Sequence, residues 1–144
     1  MSDPLLTEAL KMAQHECFHI LVPQWHARLI VIIGGTYEQH LEIFRKRRVG
    51  KEEALDLANY LKSEMKHNAA VVLQPNTRPR AQFVYFPKRP SLTSPVTVGT
   101  IAHELLHVTV GILTKSDVRL TAASEEAFTY LHGHLMQEFW KRLS

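Results

Sequence analysis

The chain is 144 residues long with a formal net charge of +3, the size of one domain able to bury its own core. Hydrophobic residues at 45% and charged residues at 22% exclude a disordered chain. The single cysteine, Cys17, excludes an intramolecular disulfide and a cysteine-rich metal site.

One cysteine fits a reducing compartment. The segment "MSDPLLTEALKMAQ" has neither the basic region nor the uninterrupted apolar core of a secretory signal. No apolar run is read as reaching the roughly 20 residues that span a bilayer. The expectation is a cytoplasmic protein without a membrane partner. Positive charge is clustered at Arg45, Lys46, Arg47 and Arg48, then at Lys51, Arg78, Arg80, Lys88 and Arg89. Such clusters attract phosphates or an acidic partner, nucleic acid among them, or serve as solvated helix ends and loops.

Taken in chain order, residues 4–22 read as a helix, with Asp3 as N-cap, Pro4 in the first turn and Pro23 as its end. "RLIVII", 28–33, closed by Gly34 and Gly35, reads as a buried strand. Thr36 opens a helix to about Arg48, and "KEEALDLANYLKSEMKH", 51–67, gives another. "AAVVLQP", 69–75, and "AQFVYFP", 81–87, are short strands joined as a hairpin by "NTRPR". Ser94 and Pro95 have the chemistry of an N-cap and first helical position, opening a helix to about Leu113. Ala122–Leu143 reads as a long final helix. This order predicts one small α+β domain over residues 1–144, its sheet packed against several helices.

His-Glu-x-x-His occurs twice, at His15–His19 and at His103–His107. On a helix, residues four apart share a face, so two imidazoles can grip one zinc while the intervening Glu takes a proton from water. A third ligand is required, and spacing does not choose between the motifs. Glu126 follows His107 after eighteen residues, the interval of the gluzincin class of zinc peptidases, and Glu38 follows His19 after the same eighteen. Context favours the second motif. Beyond His107 the helix continues and the next one carries Glu126, whereas after His19 come Pro23 and a whole strand before Glu38. Gly99, His103, His107 and Gly111 form a stripe whose small members leave room for a metal. The stripe Lys11, His15, His19 and Pro23 offers none, and His15 and His19 are read as surface or interface histidines on an amphipathic helix.

The stretch from "SPVTVGTIAHELLHVTV" to "SEEAFTYLHGHL" resembles the small zincin-like metallopeptidases encoded largely by bacteriophages and prophages, through "HELLH" and then "EEAFTYL". The similarity covers the last third of the chain, with the two preceding strands matching more loosely. It implies a zincin-like fold, a bound zinc and the host bacterial cytoplasm, with the metal-binding part about 94–143. It makes His103, His107 and Glu126 the ligands and Glu104 the general base.

Glu125 stands beside Glu126 as the competing third ligand, and His132 and His134 offer a histidine cluster in its place. Tyr130, one turn after Glu126, is read either as orienting a ligand and hydrogen-bonding an oxyanion or as a packed aromatic. "AQFVYF" is read as an edge strand along which a peptide could add by main-chain hydrogen bonds. The expected function is a zinc-dependent hydrolase, most simply a peptidase acting on a peptide or protein. The alternatives are a zinc-stabilised phage protein that binds a host protein, and a protein acting on or near nucleic acid.

Overall fold

The computed structural model describes residues 15–63 and 69–144. Its first element corrects the sequence reading. Glu16–Val22 is a strand, β1, not the end of a helix, and residues 4–14 of that expected helix lie outside the described residues. The segment "ECFHILV" alternates: Ile20 and Val22 are buried and Phe18 half-buried, while Cys17, His19 and Leu21 face outward. That period of two, in aromatic and β-branched residues, suits a pleated surface. Pairing with β2, Ala27–Ile33, decides the matter, with antiparallel register from Glu16↔Ile33 to Val22↔Ala27. Pro23 therefore turns a hairpin instead of stopping a helix. Pro23–Trp25 makes a short 3-10 turn, and His26, at φ 49°, closes it by donating its N–H to the Pro23 carbonyl at 3.1 Å.

Every residue of β2 except Arg28 is buried, because helices cover both faces of the sheet. Thr36 and Gln39 cap the first helix, α1 (Tyr37–Lys46), reciprocally: Gln39 N–H donates to Thr36 Oγ1 at 3.3 Å and Thr36 N–H to Gln39 Oε1 at 2.8 Å. Helix α2 is Lys51–Ser63, and the expected continuation through residues 64–67 lies outside the described residues. Strands β3 (Val71–Leu73) and β4 (Ala81–Phe86) form the expected antiparallel hairpin. Glu53 of α2 holds their turn, accepting from the N–H groups of Asn76 and Thr77 at 2.8 and 2.9 Å and from Thr77 Oγ1 at 2.5 Å. Helices α3 (Pro95–Lys115) and α4 (Glu125–Leu143) complete the chain, and Ser94 Oγ caps α3 at Thr97 N–H.

The result is an α+β fold with a mixed four-stranded sheet and four helices among the described residues, in strand order β1-β2-β4-β3. β2 and β4 run parallel, so the chain between them crosses over through α1, α2 and β3. On one face Ile30, Ile32, Phe83 and Tyr85 meet Phe44, Ala54 and Ala58 of α1 and α2. On the other, Leu29, Val31, Val84 and Phe86 meet Ile101 and Leu105 of α3 and Leu135 and Phe139 of α4.

One further reading is corrected. β4 is not an edge strand: it lies between β2 and β3 with all six residues buried, and the edge beside it is the three-residue β3. The outer edge of β1 is partly covered, since His134 donates to the Leu21 carbonyl at 3.5 Å and Arg142 to that of His19 at 3.4 Å. Separately, α3 has the length and composition of a membrane span, which a buried core helix also has, so the expectation of no span is not overturned by it. In the fold its Ile101, Leu105, Val108, Ile112 and Leu113 are buried in the core against the sheet.

Beneath the β2–α1 turn lies a buried histidine, His40, 3% exposed. Its Nε2 donates to the Gly34 carbonyl at 2.7 Å, and its ring packs against Tyr85 and His15 at centroid distances of 5.1 and 6.3 Å. Gly35, at φ 100°, leaves the space: a Cβ there would stand 2.6 Å from His15 Nδ1 and 3.0 Å from His40 Nε2. Burial depresses the His40 pKa; the Gly34 carbonyl opposes this and His15 adds to it. Below the ordinary value of 6.5 the unfolded chain therefore takes up a proton before the folded one. Stability is full above that pH and falls as pH drops through the window below it. Urea denaturation at about pH 7 and about pH 5 is expected to show this loss, and His40→Leu to reduce it. Equal pH dependence in both proteins would contradict the assignment.

Candidate metal centre

Helix α3 carries the second His-Glu-x-x-His on its solvent side. Ile101, Leu105 and Val108 point to the sheet, which leaves His103 and His107 exposed and Glu104 half-buried between the two environments. The imidazoles converge, with Nε2 atoms 3.1 Å apart and ring planes at 77°. Two Zn–N bonds of about 2.0–2.1 Å at a tetrahedral angle would set these nitrogens about 3.3–3.4 Å apart. The pair thus fits two positions of a zinc site.

Burial pushes the Glu104 carboxyl above the ordinary carboxylate range, and the neighbouring imidazoles of His103 and His107 draw it partly back. A carboxyl whose proton affinity is raised, next to two exposed nitrogens, is suited to taking up and passing on a proton.

The third position is less complete. Glu126 and Tyr130 lie on the first turns of α4 in a shallow cleft with Gln24 and Trp25 of the β1–β2 turn and Ala127. Glu125 is also exposed, at the first position of α4. Among the described residues no three His, Cys, Asp or Glu side chains stand together as a metal-holding group, so neither glutamate joins the histidine pair at ligating distance. Tyr130 is 65% exposed, which does not fit the packed-aromatic reading, and it lines the same cleft as Glu126. His132 Nε2 donates to the Ala102 carbonyl at 3.1 Å, tying α4 to α3, while His134 holds the β1 edge.

The stripe of small residues behaves differently at its two ends. Gly99 opens to solvent, as expected. Gly111 is buried, and a Cβ there would stand 2.6 Å from Gln74 Nε2 and 2.8 Å from Gln82 Oε1. Its smallness lets α3 approach the sheet instead of making room for a metal.

The first motif has no helix to sit on. His19 is in β1 and His15 immediately precedes it, and along extended chain residues four apart are separated by about 13 Å, too far to grip one ion. Glu16 is committed elsewhere, to an ion pair with Arg89 Nη1 at 2.5 and 2.6 Å, and Arg89 Nη2 also donates to the Leu143 carbonyl at 2.8 Å. This contact joins β1, the segment after β4 and the end of α4. Sequence reasoning missed it because its partners are 73 and 54 residues apart.

No family model, curated protein or solved structure matches this chain in the comparisons made.

Proposed function

We propose that the protein is a zinc-dependent hydrolase of the zincin type, most simply a peptidase. The observation that carries this reading is the convergence of His103 and His107 Nε2 atoms at 3.1 Å with Glu104 between them on one helix. When bound, zinc supplies the Lewis acidity that makes water a competent nucleophile at neutral pH. His103 and His107 would hold the metal, and Glu126, which stands apart from the pair here, would have to close on it to serve as third ligand. Glu104 takes the proton from the attacking water and passes it to the leaving amine. Tyr130 hydrogen-bonds the developing oxyanion. The bacteriophage-type resemblance of "HELLH" and "EEAFTYL" supports the same reading and the bacterial cytoplasm as its setting.

The test is cleavage of a mixed peptide library by the zinc-loaded full chain, read by mass spectrometry. Expected are new peptide termini with wild type and none with His107→Ala or after chelation. Equal cleavage by all three samples would assign the activity to a contaminant. A second reading, a zinc-stabilised binding protein without catalysis, draws support from the unassembled third position among the described residues. It predicts zinc-dependent thermal stabilisation with no cleavage.

A further inference from the structure

Three segments far apart in sequence bring cations to one end of the sheet. Arg28 lies at the start of β2, Lys46 ends α1 with Arg47 and Arg48 in the turn after it, and Arg78 and Arg80 lead into β4, whose Ala81 pairs with Arg28. With His26 they line a cleft of about 610 Å³ to which no Asp or Glu contributes. Lys46 bridges to Glu42 at 3.1 Å on the exposed surface. The arginines that make contacts use neutral groups: Arg78 Nε donates to the Arg47 carbonyl at 3.1 Å, Arg80 Nη1 to that of Trp25 at 2.8 Å, and Arg47 Nη2 to Cys17 Sγ at 3.8 Å. These contacts orient the guanidinium groups without cancelling their charge. The Glu53 contacts to Asn76 and Thr77 fix the loop that delivers Arg78 and Arg80.

We propose that this cleft binds the phosphodiester backbone of duplex nucleic acid. The five arginines, besides the Glu42-paired Lys46, are more than a single phosphate requires, and guanidinium forks match phosphate oxygens. An acidic peptide would need apolar or aromatic anchors, and besides the six cations the lining holds only His26, Thr77, Pro79 and Ala81. The one aromatic ring in the lining is the His26 imidazole, and no Phe, Tyr or Trp adds the run of stacking platforms that unpaired bases use. Backbone contacts of this kind hold a duplex without reading its sequence.

The experiment is fluorescence anisotropy of a labelled duplex of about 20 base pairs with the full chain, between about 50 and 200 mM salt. Wild type is expected to bind with affinity falling steeply as salt rises. Arg28→Ala combined with Arg48→Asn removes two exposed charges, Asn being suited to the φ of 61° at position 48. That variant is expected to bind at least about tenfold more weakly, with a log–log salt slope smaller by about two. Lys115→Ala combined with Lys141→Ala removes equal charge outside the cleft and is expected to leave the slope unchanged, with circular dichroism confirming that both variants fold. No wild-type binding at low salt overturns the proposal, as does an equal loss in both double variants. It is also overturned if polyglutamate, or inorganic phosphate at matched ionic strength, displaces the duplex as well as unlabelled duplex does.

Discussion

Glu104→Gln is expected to lower peptide hydrolysis by about 10²- to 10⁴-fold while leaving the fold and bound zinc intact. Gln matches Glu in size and fills the same half-buried position on α3, but it cannot accept the proton of an attacking water. The native carboxyl sits where burial raises its proton affinity and the two imidazoles draw it partly back, which favours proton uptake from a neighbouring water. Removing it therefore removes proton transfer and nothing structural. Initial rates on the best library peptide, measured beside zinc content, separate the two effects. A variant that keeps both its zinc and its full rate would show that Glu104 is not the base.

The largest expected stability effect is Phe139→Ala, about 3–5 kcal/mol. Phe139 is 0% exposed, and its ring stands 5.5 Å from that of Phe86 on β4 and 6.3 Å from that of Phe18 on β1. It thereby anchors α4 to two strands at once, and truncation leaves a cavity that those rings cannot close without moving the sheet. Against a total of about 5–15 kcal/mol for a domain, the loss is large. Urea midpoints at constant m-value report it, and a change below about 1 kcal/mol would mean α4 is not docked as described.

Local chemistry was legible where it was self-sufficient. The β-branched run of β2, the Thr36 cap and the Ser94-Pro95 helix start each carry their structure in a few adjacent residues. The strand at Glu16–Val22 was not legible, because what settles it is the ladder to β2, a tertiary partner that periodicity does not name. β4 alternates in chemistry like an edge strand, yet its neighbours are set by the crossover from β2 and the hairpin to β3. At the site, the i, i+4 geometry of His103 and His107 follows from helix pitch alone, so that pair was readable. The path of the 116–124 loop, which positions Glu126, depends on local bonds such as Ser124 Oγ donating to the Arg119 carbonyl, and an eighteen-residue interval does not encode it. The basic cleft likewise joins charges that the sequence shows only as separate clusters.

The most direct test of the central claim is elemental analysis of the tag-free full chain after zinc is supplied and excess removed, with His103→Ala and His15→Ala alongside. One zinc per chain in wild type and in His15→Ala, and none in His103→Ala, is the predicted result. Folded wild type without zinc, or zinc retained by His103→Ala and lost by His15→Ala, would contradict it.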